Sequence, residues 1–127
     1  MQVWYLGIDV AKAKFDCALR QRDGKHKHKV FDNNPSGFES LSRWLLDYGV
    51  TNLHACMEAT GVYWESVAEY LANQGHVVSV VNPFQIKAFG ASRLVRTKTD
   101  KVDAKLIAEF CKENQPEAWK APSAQEQ

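Results

Sequence analysis

Val3-Trp4-Tyr5-Leu6-Gly7-Ile8-Asp9-Val10 is the stretch that decides the fold. Bulky and β-branched residues run on without a turn signal to Asp9, so the segment reads as a strand that closes on an acid. A carboxylate at the end of such a run is partly desolvated and calls for cations or hydrogen-bond donors. The same arrangement recurs at Leu53-His54-Ala55-Cys56-Met57, an apolar run that closes on Glu58.

Working outward, residues 14–21 alternate well enough for a second strand, and Asp23-Gly24 supplies a tight hairpin turn into a third over 27–32. Asn33-Asn34-Pro35-Ser36 then punctuates the chain. Phe38, Leu41, Leu45 and Leu46 recur at helical spacing and predict a helix over 35–48, stopped by Gly49. Residues 53–57 read as a short buried strand, followed by a helix through Tyr63, Val67, Tyr70 and Leu71 that ends near Gly75. His76-Val77-Val78-Ser79-Val80-Val81 is apolar on both faces, as expected in the parallel part of a sheet. Asn82-Pro83 predicts the N-cap and first position of a short helix to near Phe89. Gly90 to Thr99 reads as a basic loop and residues 100–113 as a last helix. The Ala/Pro/Gln/Glu-rich residues 114–127 read as a linker or frayed tail beyond a domain of residues 1–113. The order β-β-β-α-β-α-β-α is that of the ribonuclease H-like (RuvC-like) α/β fold, a mixed five-stranded sheet with helices on both faces.

The composition bounds what such a domain does. With 127 residues, 45% of them hydrophobic, the chain can bury one core without disulfides or metal staples. Cys17, Cys56 and Cys111 are widely spaced among apolar neighbours, which suits reduced packing thiols and offers no zinc spacing. The N-terminus lacks a basic leader and its apolar run is broken by Asp9, so the expectation is a cytoplasmic protein with no signal peptide or membrane span. The formal net charge of +1 conceals an uneven distribution. Lys87, Arg93, Arg96, Lys98, Lys101 and Lys105 face only Asp100 and Asp103 in their stretch, and a second basic stretch runs from Arg20 through Arg22 and Lys25 to Lys29. Such clusters are either solvated faces or the footprint of a polyanion held close to the acids.

Asp100 and Asp103 stand one turn apart where the basic loop enters the last helix. Val102, Leu106, Ile107 and Phe110 mark its apolar stripe, and Asp103 lies three, four and seven residues before the last three of these. Thr97-x-x-Asp100 also satisfies a capping box, and acids in a first turn complement the helix dipole. Capping leaves Asp103's place on the apolar side unexplained. In isolation, Asp9 also suits a strand-end turn and Glu58 a salt bridge or helix start. In a ribonuclease H-like topology, however, the first and fourth strands end side by side and the last helix packs next to them. Asp9, Glu58, Asp100 and Asp103 would then converge on one rim, an oxygen-only set suited to Mg²⁺ or Mn²⁺. Other features weigh less. His26 and His28 among their lysines suit a solvated hairpin tip, Trp4, Trp44, Trp64, Tyr63 and Tyr70 suit packing, and Ser92 has no His/Asp partner at a motif spacing.

Gly7-Ile8-Asp9-Val10-Ala11-Lys12, Met57-Glu58-Ala59-Thr60-Gly61, Val81-Asn82-Pro83 and Arg96-Thr97-Lys98-Thr99-Asp100-Lys101-Val102-Asp103-Ala104, in this order, resemble the DEDD transposases of bacterial insertion sequences. The resemblance spans about residues 3–112 and corresponds to that family's N-terminal RuvC-like domain. It implies that Asp9, Glu58, Asp100 and Asp103 are the D, E, D and D that hold divalent metal. It implies DNA as substrate, an element-encoded noncoding RNA in some members, homo-oligomers, and a C-terminal transposase domain that carries a serine for strand cleavage and joining. A chain without that domain would be an N-terminal fragment or truncated copy.

The expected function is that of a metal-dependent DNA recombinase domain in which Arg93, Arg96, Lys98, Lys101 and Lys105 grip the backbone. The alternatives are a self-sufficient RuvC-like junction nuclease, an actin-like or sugar-kinase nucleotide-binding half, and a binding module whose acids are structural. The nucleotide-binding alternative wants glycine soon after the first Asp, where this chain has Val10-Ala11-Lys12.

Overall fold

A computed structural model describes residues 3–92 and 100–121, with the side chains of residues 100–103 outside that description. Its elements are β1 (Trp4–Val10), β2 (Lys14–Arg20), β3 (His26–Asp32), α1 (Pro35–Asp47), β4 (Leu53–Glu58), α2 (Glu65–Asn73), β5 (Val77–Val81), α3 (Pro83–Ser92) and α4 (Asp100–Asn114). The five strands form one sheet in the order β3-β2-β1-β4-β5. β1, β2 and β3 pair antiparallel in a meander, whereas β4 and β5 join β1 in parallel. The mixed ribonuclease H-like sheet expected from the element order is therefore the observed one.

Local chemistry sets the element ends. Asp23-Gly24 makes the β2–β3 turn, with Gly24 at φ +86° and the Asp23 carboxylate accepting from the Lys25 amide at 2.9 Å. Asn34 caps α1 by accepting from the Gly37 amide at 2.8 Å, and Pro35 fills the first turn. Two helices differ from expectation. α2 starts at Glu65, beyond Tyr63, because a turn over 61–64, tied by the Trp64 indole donating to the Gly61 carbonyl at 3.0 Å, comes first. α3 runs on to Ser92, and Gly90 lets it meet α4: a Cβ there would lie 2.8 Å from Leu106 Cδ2.

Strand alternation assigns the two faces. Leu6 and Ile8 of β1, Phe15, Cys17 and Leu19 of β2, and Ala55 and Met57 of β4 pack with α1 and α2 through Phe38, Leu41, Trp44, Leu45, Val67 and Leu71. The opposite face carries α3 and α4, where Cys56, Val81, Ile86, Ile107, Phe110 and Cys111 form a second, smaller core. Cys17, Cys56 and Cys111 are all buried free thiols. Burial, helped by Asp16, pushes the Cys17 thiol up, and contact with Cys56 together with burial does the same to Cys111, so both are inert packing groups.

Residues 115–121 are irregular, yet they are packed rather than frayed. The Trp119 amide donates to the Val78 carbonyl at 2.6 Å, along β5. Its ring meets Trp64 edge-on at 5.7 Å. Ser79 Oγ lies 3.0 and 2.8 Å from the carbonyls of Pro116 and Glu117. Among the described residues, no helix is long and apolar enough to cross a membrane.

Candidate metal centre at the sheet rim

β1 and β4 are parallel neighbours in the register Ile8↔Met57, so their next residues, Asp9 and Glu58, end the two strands side by side. Neighbouring strands lie roughly 4.8 Å apart. Asp9 shares its face of β1 with Tyr5 and Gly7, and Glu58 shares its face of β4 with His54 and Cys56. Both acids therefore project from the α3/α4 face, and both are half-buried.

Gly7 brings the last helix to this point. A Cβ built on Gly7 would fall onto the Ala104 carbonyl and lie 2.5 Å from the Ala108 nitrogen. Only glycine on the strand and small residues on the helix permit backbones to approach so closely. Ala104 and Ala108 are both fully buried. Further along α4, Cys111 Sγ lies 3.6 Å from the His54 carbonyl, and Gln115, just beyond the helix, donates to the Tyr5 hydroxyl at 2.8 Å. The helix thus begins at the Asp9/Glu58 end of the sheet and runs toward the start of β1. Its first turn, which contains Asp100 and Asp103, is carried to the rim by its backbone.

Of the site residues expected from the sequence, the structure brings Asp9 and Glu58 together. The side chains of Asp100, Asp103 and Lys101 lie outside the described residues, as do Arg93, Arg96 and Lys98 altogether, while Lys105 is exposed on α4. Among the described residues, no group of three or more His, Cys, Asp or Glu side chains is gathered so as to hold a metal. The donor chemistry of the described pair, two carboxylates on one face of adjacent strand ends, fits a hard, oxygen-seeking cation such as Mg²⁺ or Mn²⁺.

One acid at the rim has no place in the sequence motifs. Asp16 stands directly opposite Asp9 in the β1–β2 pair and therefore on the same face. Asp9 and Asp16 line a depression of about 440 Å³ with Ala11, Ala13, Lys14 and Val30. Counting the hairpin symmetrically about residues 12 and 13 would have found it. Asn33 steadies this end of the sheet, its amide donating to the Ala11 carbonyl at 2.9 Å and the Tyr63 carbonyl at 3.1 Å.

Comparison with known proteins agrees with this fold. Residues 6–127 match a family of DEDD transposases of the IS110 type, described as "Transposase". The chain is 39% identical over 128 aligned residues to the pilin gene-inverting protein of Moraxella bovis, and equally so to that of Moraxella lacunata. The alignment takes in 99% of this chain and 39% of each relative, so the chain spans well under half the length of these curated relatives. Among solved structures, Thermus thermophilus RuvC superposes with a TM-score of 0.61 at 12% identity, covering 91% of this chain and 99% of RuvC. The same protein in complex with a Holliday junction substrate gives 0.52 at 13% identity, covering 98% and 86%. These likenesses carry the fold, and the sequence match carries the family: the chain belongs to the DEDD transposases of the IS110 type.

Proposed function

We propose that this chain is the catalytic RuvC-like portion of a DNA recombinase, with residues 1–113 as the domain and 114–127 leading toward a C-terminal transposase domain. Asp9, Glu58, Asp100 and Asp103 hold Mg²⁺ or Mn²⁺ at a DNA phosphodiester. The observation that carries this reading is the placement of Asp9 and Glu58 on one face of adjacent strand ends, with Gly7 seating Ala104 and Ala108 of α4 against the same strand.

Divalent metal bound there would supply the positive charge that activates an oxygen nucleophile and steadies the leaving oxygen. The chain's own part is geometric. β1 and β4 set two carboxylates at the spacing of neighbouring strands, and Asp100 and Asp103 of α4 would add the other two. Arg93, Arg96, Lys98, Lys101 and Lys105 hold the DNA backbone without reading its sequence. Joining two duplexes requires more than one active site, so the working form is a homo-oligomer of the longer protein, in the cytoplasm, and an element-encoded RNA is a further candidate partner. Cleavage by this portion alone is weak or absent.

Mn²⁺ titration by calorimetry tests the site. Wild-type chain binds, and Asp9→Asn and Asp103→Asn lose binding while keeping their circular dichroism. Equal binding in all three would remove the metal centre from the rim. Efficient cleavage of cruciform DNA by this chain alone would overturn its dependence on the remainder.

A further inference from the structure

We infer that the seam between α4 and the β2–β3 hairpin is a backbone track for duplex DNA, along which the duplex runs from the carboxylate rim toward the start of β1. The inference rests on the recombinase reading above and adds the direction and positioning residues of the substrate.

Glu109 of α4 joins the two elements. Its Oε2 accepts from Arg20 Nε at 2.7 Å and from His26 Nε2 at 2.9 Å, across 89 and 83 residues of sequence. Burial holds His26 below its ordinary pKa despite Glu109, so near neutral pH the ring donates as a neutral group and Arg20 supplies the countercharge. With that acid covered, the stripe of α4 at four- and seven-residue steps reads Lys105, Glu109, Lys112, and both lysines are exposed. Beside Lys112, Tyr5, Arg20 and Arg22 line a cleft of about 190 Å³. Arg22 is exposed at the hairpin end, and Glu113, on the flank of the stripe, is the acid nearest to Lys112 in sequence.

Each cation has an ordinary explanation on its own. A lysine in a last helical turn complements the dipole. Arg22 belongs to another element, however, and the Glu109 bridge is what brings it alongside the helix. Lys105 and Lys112 are separated by about 10 Å of helix, the axial span of about three phosphates on one DNA strand. The track starts within two residues of Asp103, so a duplex laid on it presents its scissile phosphate at the rim. Duplex DNA suits this row better than a folded protein partner, because the row is dominated by cations, and Val3 at the edge of the cleft is too small an exposed apolar surface to anchor a protein interface.

The test is fluorescence anisotropy of a labelled 20-base-pair duplex with the full 127-residue chain in EDTA, across a salt series. Arg22→Glu and Lys112→Glu are expected to weaken binding at least fivefold each and to reduce the slope of log affinity against log salt by about one per lost phosphate contact. Arg43→Glu, an exposed charge reversal on α1, should change little. Wild-type affinity in the seam variants, or an equal loss in Arg43→Glu, overturns the track. Displacement of the duplex by a stem-loop RNA at lower concentration would overturn DNA as its occupant. Mn²⁺ calorimetry on the same variants separates this inference from the metal centre: intact metal binding with unchanged DNA affinity removes the track alone, and lost metal binding in Asp9→Asn with weakened DNA binding in Arg22→Glu supports both.

Discussion

Toward α1 and α2, β1 presents Leu6 and Ile8; toward α3 and α4, it presents Tyr5, Gly7 and Asp9. The first face is filled by large side chains, Phe15, Phe31, Phe38, Leu41, Trp44 and Met57 among them. At its closest approach, the second is filled by almost nothing, with Gly7 set against Ala104 and Ala108. Large apolar side chains bury area and therefore contribute most of the stability, about 1.5–3 kcal/mol for each fully buried one. Small residues bury little, but they let two backbones touch, and a backbone contact fixes a helix more narrowly than interdigitated side chains do. One face holds the domain together, and the other sets the position of the turn that carries Asp100 and Asp103.

The sharpest way to break this comparison is Gly7→Val. The new side chain meets backbone on both Ala104 and Ala108, neither of which can rotate away. Overpacking ordinarily costs about 1–3 kcal/mol, and a clash with two backbone atoms should exceed that range. The expected outcome in urea unfolding is a loss of more than about 3 kcal/mol, or no cooperative transition, together with loss of Mn²⁺ binding. A Gly7→Val chain that melts and binds like wild type would mean that α4 does not cross β1 there.

Leu41→Ala makes the opposite change on the opposite face. Leu41 is fully buried in the larger core, so truncation should cost about 2–5 kcal/mol. Below the unfolding transition, Mn²⁺ binding should stay within about twofold of wild type, since a partly relaxed cavity under α1 leaves the rim in place. Metal affinity that falls in step with stability would show that the two faces are not separable.

Most of the fold was legible because each strand of the parallel part is an apolar run and each turn carries its own chemistry, Asp23-Gly24 and Asn34-Pro35 above all. Asp9 and Glu58 were legible for a related reason, as each is the first charge after residues that must be buried. Three features were not. Asp16 depends on the hairpin register, which a pattern of apolar residues leaves free by whole steps. The packing of 115–121 depends on Trp119 finding Trp64, a contact across 55 residues that local composition cannot encode. The bridge from Arg20 and His26 to Glu109 joins a hairpin whose composition suits a solvated tip to a residue of α4 outside its apolar stripe.

That bridge gives a smaller prediction. Arg20 and Glu109 keep only 18% and 23% of their side-chain surface exposed, so Glu109→Gln removes a partly sheltered charge-assisted bond. The expected loss is about 1–2 kcal/mol, with faster amide exchange in β2 and β3 than in β4. Uniform exchange across the sheet would mean that the hairpin is held by its strand pairing alone.

The smallest effect is also the most specific in sign. Ser79 Oγ has one proton and lies near two carbonyl oxygens of residues 116 and 117, so His54 Nε2, 2.7 Å from that oxygen, must donate to it. Burial lowers the His54 pKa below its ordinary value, which makes the folded state prefer the neutral ring. The unfolded chain then binds a proton first as pH falls, and stability rises with pH across that window. His54 thus contributes fully above the ordinary histidine pKa, and its contribution is lost as pH drops toward and below the folded value. Urea unfolding at pH 7.5 and 5.5 should show the wild type losing stability on acidification and His54→Gln losing less of it. An identical pH dependence in the variant would assign the change to His26 and His76, whose pKa values burial also lowers, and would leave His54 as a packing residue between β5 and the segment laid along it.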